Sequence, residues 1–230
     1  MSRELLNTKL SHSMKLLLLG ATGPTGQQLV NEAISQNHEV IAVVRSPEKL
    51  TTQSDKLKVI EGNILDTAQL KEHMKGCDAV LSTLGGRGGL FTPCDIYTKS
   101  GKAVVSAMRE TGVKRFVAVT AWGTKDDPGL PYIWRWVLKP SFLRNLVRDM
   151  ELFEDFLLGD CNDINYTVVR PPRLTNNPST GARILAHVGL YVPEVNNGMS
   201  RQDVAKFMLQ CLNTPEYDKK MVAIASSDVP

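Results

Sequence analysis

Three glycines at a fixed spacing constrain this chain more than any other feature. Gly20-Ala-Thr-Gly-Pro-Thr-Gly26 stands between the apolar run Lys15-Leu-Leu-Leu-Leu19 and a segment over 25–36 whose apolar residues Leu29, Val30, Ala33 and Ile34 recur with a helical period. A short unbroken apolar run stopped by glycine fits a strand buried on both faces of a parallel sheet. The stripe after it fits a helix packed by one face. Glycines in such a turn permit a tight reversal, let main-chain N–H groups approach a pyrophosphate, and bring helix and strand close. The helix N-terminus then faces the anion. The competing explanation is a glycine-rich turn with no ligand, yet one glycine suffices for a turn.

The same alternation continues along the chain. Strands are expected over 40–44, 58–60, 79–83, 115–120, 166–170 and 221–225, and helices over 66–75, 102–111, 141–158 and from Ser200 onward. Asp66 is placed to cap its helix, with Gln69 three residues on to return the bond, and Ser200 with Asp203 opens the last helix. Strands separated by helical segments imply an α/β protein with a Rossmann-like, doubly wound parallel sheet. No repeat or linker interrupts it. The 230 residues are therefore expected to form a polar tail over 1–13 and a single domain over 14–230, with 122–140 as a small substrate lobe.

Composition excludes several classes. Lys plus Arg number 27 and Asp plus Glu 24, a net charge of +3, too small to argue for nucleic-acid binding. Cys77, Cys94, Cys161 and Cys211 form no CxxC pair, and the four histidines stand far apart, so no metal site is expected. The start lacks the apolar stretch of a signal peptide, and no window approaches a membrane span. The expectation is a cytoplasmic protein with reduced thiols, without membrane partners and monomeric.

The nucleotide is specified at the end of the second strand, where an NAD-preferring site places an acid for the ribose hydroxyls. Here that position is Arg45, followed by Lys49, a pair suited to a 2′-phosphate. NADP(H) is the cofactor expected. Ligands in such sheets bind outside the carboxyl ends of the strands. The loops there are Gly62-Asn63-Ile64, Leu84-Gly85-Gly86, Thr120-Ala121-Trp122 and Pro172-Arg173-Leu174, which are expected to complete the cleft.

With these segments in hand, the chain resembles the atypical short-chain dehydrogenase/reductases, and within them the NADPH-dependent flavin reductase or biliverdin-IXβ reductase family. The resemblance rests on GATGPTG at 20–26, VVRSPEKL at 43–50, EGNILD at 61–66, GVKRFVAVT at 112–120, YTVVRPP at 166–172 and RQDVAKFMLQCLNTPEYD at 201–218. The last match is specific, having no role in generic nucleotide binding. The resemblance implies that Gly20, Thr22, Gly23, Pro24, Thr25 and Gly26 carry the pyrophosphate and Arg45 the 2′-phosphate. It sets Asn63 and Ile64 at the adenine, and Leu84, Gly85, Gly86, Thr120, Ala121, Pro172 and Arg173 along the ribose and nicotinamide. Three positions depart from the family pattern: Asn63 stands for Asp, Ala121 for Ser and Arg173 for His.

Chemistry narrows the acceptor. No tyrosine has a lysine four residues on, the positions after Tyr97, Tyr132, Tyr166, Tyr191 and Tyr217 being Gly101, Trp136, Arg170, Val195 and Met221. The general base of conventional alcohol oxidation is absent. A flavin or bilin can take its proton from water and asks mainly for proximity and an apolar floor. Trp122, Trp134, Trp136 and Phe142 are candidates for that floor, with Thr120 and Arg173 as polar contacts at the hydride site. The expected activity is NADPH-dependent reduction of a flavin-like or bilin-like acceptor. The alternatives are a non-catalytic NADP(H)-binding sensor and a quinone or enone reductase.

Overall fold

Alternate leucines of the first strand enter different cores. In the computed structural model, which describes residues 13–86, 93–127, 130, 143–193, 195 and 198–227, Leu17 and Leu19 of β1 (Lys15–Leu19) pack with one apolar cluster, and Leu16 and Leu18 with another. Side chains alternate across a strand, so a sheet covered on both faces needs apolar residues at every position. The first cluster lies under α2 (Thr67–Met74), α3 (Ile96–Thr111) and α4 (Arg144–Asp160). The second lies under α1 (Pro24–Ser35) and α5 (Arg201–Cys211), which pack against each other.

The remaining strands are β2 (Glu39–Val44), β3 (Leu57–Glu61), β4 (Ala79–Ser82), β5 (Arg115–Val119), β6 (Asn165–Arg170), β7 (Leu174–Thr175), β8 (Ile184–Val188), β9 (Met199–Ser200) and β10 (Lys220–Ser226). The main sheet runs β3-β2-β1-β4-β5-β6-β10-β8, and β7 and β9 form a separate parallel pair. Strands 1–6 and 10 are parallel, as expected, while β8 is antiparallel to β10 at the edge. The chain winds outward from β1 in both directions, so the switch point lies between β1 and β4, where ligands of such sheets bind.

Three local expectations are corrected. The helix expected over 102–111 begins six residues earlier, because its cap is remote in sequence. The carboxylate of Asp149 on α4 accepts from the Tyr97 and Thr98 N–H groups at 2.8 and 3.2 Å and from the Thr98 hydroxyl at 2.5 Å. Asp66 does cap α2, accepting from the Ala68 and Gln69 amides, but Gln69 does not return the bond. Its Oε1 instead accepts from the Asn63 N–H at 2.7 Å, tying the β3 loop to the helix. The short strands β7, β8 and β9 were not anticipated, since β8 exposes Ala186, His187 and Val188 and has no continuous apolar run.

All four cysteines are free thiols, with Cys77, Cys161 and Cys211 buried. Burial pushes Cys77 and Cys161 up to about 11 and Cys211 to about 12. They are packing residues. Among the described residues no helix is long and apolar enough to cross a membrane, and no group of residues could hold a metal ion.

Candidate functional site

The three glycines of the loop have separable reasons to be glycine. Gly20 has φ +82°, and a Cβ there would stand 2.7 Å from the Thr83 carbonyl carbon, where β4 ends. At Gly26 a Cβ would stand 2.1 Å from the Gly20 carbonyl oxygen, so this residue lets α1 approach β1. Both are demanded by the fold alone. Gly23 is different: its φ is −75°, and a Cβ would meet only the Gly20 oxygen at 3.3 Å. That contact is tight but asks for a shift of only a few tenths of an ångström, so packing presses far less on Gly23 than on Gly20 or Gly26.

Helix α1 begins at Pro24 without a side-chain cap and without an acid in its first turn. Its first-turn N–H groups and the positive end of its dipole therefore await an outside acceptor. They open on a cleft of roughly 760 Å³. It is lined by the loop residues Gly20, Thr22, Gly23, Pro24 and Thr25, by Val43, Val44 and Arg45 at the end of β2 and Ile64 past β3, by Thr83, Leu84, Gly85 and Gly86 past β4, by Ile96, Leu143 and Leu146 on the α3 and α4 side, and by Leu174 and Arg201 on the α5 side. Among the described residues its charged lining is two arginines, with no acid.

Most expected cofactor residues are brought together here. Arg45 stands exposed at the end of β2 and has no ion-pair or hydrogen-bond partner among the described residues. Lys49 follows in a short 3₁₀ turn, off the cleft lining, with its carbonyl accepting from Gln27 Nε2. Asn63 is turned to local use, its Oδ1 accepting from the Leu65 N–H at 3.0 Å.

Other expected site residues lie elsewhere. Thr120 is 5% exposed and donates its hydroxyl to Glu154 Oε1 at 2.7 Å. Glu154 is fully buried and also accepts from the Thr124 hydroxyl at 2.6 Å and from Arg170 Nε and Nη2 at 3.0 and 2.7 Å. A buried charge pair needs all its hydrogen-bonding capacity met. Thr120 serves that need, which corrects its placement at the hydride site. Trp122 packs with Val192, Ala223 and Ala225 and donates its indole N–H to the Ile224 carbonyl at 3.1 Å. It anchors the β10 side and does not floor the cleft. Arg173 lines a separate cavity with Thr175, Asn177, Gly198 and Asp203. Ala121 and Pro172 are half-buried and do not line the cleft. Trp134, Trp136 and Phe142 lie outside the described residues.

Val43, Val44, Thr83, Ile96, Leu143, Leu146 and Arg201 were missed as lining residues, while Leu174, part of an expected loop, does line the cleft. Leu143 and Leu146 were legible as a helical stripe, but the stripe does not say which end of the helix meets the cleft. Arg201 opened the segment whose match had no evident part in nucleotide binding, and the structure sets it on the cleft wall.

A glycine loop at the switch point, an uncapped helix end and a cationic rim without acids define a dinucleotide-binding α/β protein. The chain belongs to the NAD(P)H-binding family, whose profile matches residues 20–215. It is 27% identical over 223 residues to an uncharacterized sugar epimerase of Bacillus subtilis, covering 94% of this chain and 96% of that one. In fold it is similar to ChuY, an anaerobillin reductase of Escherichia coli O157:H7, with TM-score 0.75, 21% identity and 94% and 98% of the two chains covered. It is likewise similar to a candidate NADH-flavin reductase of Streptococcus pneumoniae, with TM-score 0.72, 22% identity and 94% and 100% covered.

Proposed function

We propose that this protein is an NADPH-dependent reductase of a flat, conjugated acceptor of flavin-like or bilin-like chemistry. The observation that carries the reading is the cleft itself: an anion-receptive loop, Arg45 at the strand end with no partner among the described residues, and aliphatic side chains in the same lining. When bound, NADPH supplies a hydride. The loop amides and Arg45 hold the phosphates. Ile96, Leu143, Leu146 and Leu174 contribute apolar surface to the cleft against which a flat ring can lie.

Among the described residues the charged groups of the cleft lining are two arginines, whose guanidinium groups carry donors and no acceptor. A conjugated acceptor that takes its proton from water suits such a site. An alcohol or sugar, whose oxidation needs a positioned base, does not. No role in hydride transfer is assigned to Thr120 or Arg173.

The same lack of a proton-trading group favours one second reading, a sensor that binds NADP(H) without turnover. The test is to titrate NADPH by fluorescence and then follow its absorbance at 340 nm with FMN, biliverdin IXβ and a quinone in turn. Oxidation by FMN or biliverdin supports the proposal, and oxidation by the quinone alone moves the acceptor class. Binding without oxidation by any of the three supports the sensor.

A further inference from the structure

Arg201 is the first residue of α5, directly after the cap residue Ser200, and it lines the cleft together with Pro24, the first residue of α1, which packs beside α5. Two helix N-termini therefore converge on one wall, each carrying the positive end of its dipole. A cation at the first position of a helix is electrostatically disfavoured, and here it also faces a second helix N-terminus, with Arg45 elsewhere on the lining. Among the described residues no acid lines the cleft to offset this charge. The one acid in the first turn of α5, Asp203, is turned away: its carboxylate accepts from the Ser179 and Ser200 hydroxyls at 2.5 and 2.7 Å.

The guanidinium is nevertheless held in place. Its Nη1 donates to Asn176 Oδ1 at 2.7 Å, and it has no other acceptor among the described residues. Arg170 shows the contrast, its fork engaged by Glu154, by the Gly189 carbonyl at 2.8 Å and by the Met221 sulfur. A guanidinium fixed by one amide, with most of its donors unused and on the lining of the cleft that holds the phosphate-binding loop, suits a bidentate grip on a second anionic group.

We infer that Arg201 is a second phosphate contact of the dinucleotide, closing on the pyrophosphate from the α5 side while Arg45 takes the 2′-phosphate. This rests on the cofactor reading above. The two arginines then divide the work: Arg201 sets affinity for any dinucleotide, and Arg45 sets the preference for the phosphorylated one.

The experiment titrates wild type, Arg201→Ala, Arg201→Gln and Arg45→Ala with NADPH, NADH and 2′-AMP, the last carrying the 2′-phosphate without a pyrophosphate. Melting temperatures confirm that each variant is folded. Both Arg201 variants should lose about tenfold in affinity for NADPH and NADH alike and bind 2′-AMP as wild type does. Arg45→Ala should lose NADPH and 2′-AMP while keeping most of its NADH affinity. Unchanged dinucleotide affinity in the Arg201 variants overturns the inference and leaves the cofactor reading standing, as does a loss confined to NADPH. A wild-type protein that binds neither dinucleotide overturns both.

Discussion

The carboxyl edge of the sheet has two halves built on opposite terms. Over β1, β2 and β4 it is open, and among the described residues its cations stand apart from acids: Arg45 has no partner there and Arg201 one amide. Over β5, β6 and β10 it is plugged. There Glu154 and Arg170 are buried and bonded to each other, to two threonine hydroxyls and to a backbone carbonyl, and Trp122 is pinned to β10. The two halves use the same residue types, arginine and threonine, to opposite ends. Polar groups left unmet mark where a ligand belongs, and polar groups fully met mark where the fold is being held.

The sharpest way to break this comparison is Glu154→Ala. It strands a buried guanidinium and two hydroxyls, and should cost about 3–5 kcal/mol in chemical denaturation. NADPH affinity of the folded fraction should not change. The double variant Glu154→Leu, Arg170→Met removes both charges and should recover most of the loss. A large fall in cofactor affinity in the folded double variant would show that the plugged half also serves the ligand.

The glycine loop tests the boundary between the halves at one-residue resolution. Gly26→Ala puts a methyl 2.1 Å from a main-chain oxygen and should destabilise by about 3 kcal/mol, the upper end for overpacking. Gly23→Ala, at 3.3 Å from the same oxygen with an ordinary φ, should cost only about 1 kcal/mol, from a tight contact and a poorer helix N-cap. Its NADPH affinity should fall at least tenfold. Equal melting-temperature losses for the two variants would contradict the separation of fold glycine from ligand glycine.

How far the sequence reached follows the same division. The parallel core was legible because burial on both faces writes itself as unbroken apolar runs: β1 spans the run from Lys15 to Leu19, and β2 starts one residue before the one read. The open half was legible because glycine spacing and a strand-end arginine are local signals. The plugged half was not. Nothing near Thr120 announces Glu154, 34 residues away, as the acceptor of its hydroxyl. Asp149 caps α3 from more than 50 residues beyond it, so the start of that helix had no local sign. Arg201 illustrates the same limit from the other side, since its position on the cleft depends on α5 packing beside α1.

Arg45→Ala separates affinity from stability on the open half. An exposed residue without partners has little to lose on folding, so the melting temperature should hold to within a degree or two. NADPH affinity should fall about tenfold or more by titration, the worth of a charge-assisted contact, with NADH much less affected. Parallel losses for the two cofactors would remove the 2′-phosphate from Arg45.

The smallest effect is expected at the opposite, amino edge of the sheet, where His38 is 1% exposed and its Nδ1 accepts from the Met14 N–H at 3.1 Å. An accepting Nδ1 requires the neutral ring. Burial lowers the His38 pKa below its ordinary 6.5, against the pull of Asp78, whose carboxylate is itself bonded to the Lys15 N–H at 2.7 Å. With the folded value depressed, the unfolded chain takes up the proton first. Stability is therefore fully present above pH 6.5 and declines as pH falls through 6.5 toward the folded value, by at most about 1.4 kcal/mol per pH unit. Denaturation midpoints between pH 5 and 8 in wild type and His38→Gln measure this, because the glutamine carbonyl can accept the Met14 N–H without titrating. The variant should lose that part of the slope, and an unchanged slope would assign the acid sensitivity to another group. NADH affinity should stay flat over the same range where the protein remains folded, because the cleft is lined by arginines, uncharged polar residues and aliphatic side chains. A pH-dependent NADH affinity that vanished in His38→Gln would mean that the two edges of the sheet are coupled through β1 and β2, and the separation between a holding region and a binding region would fail there.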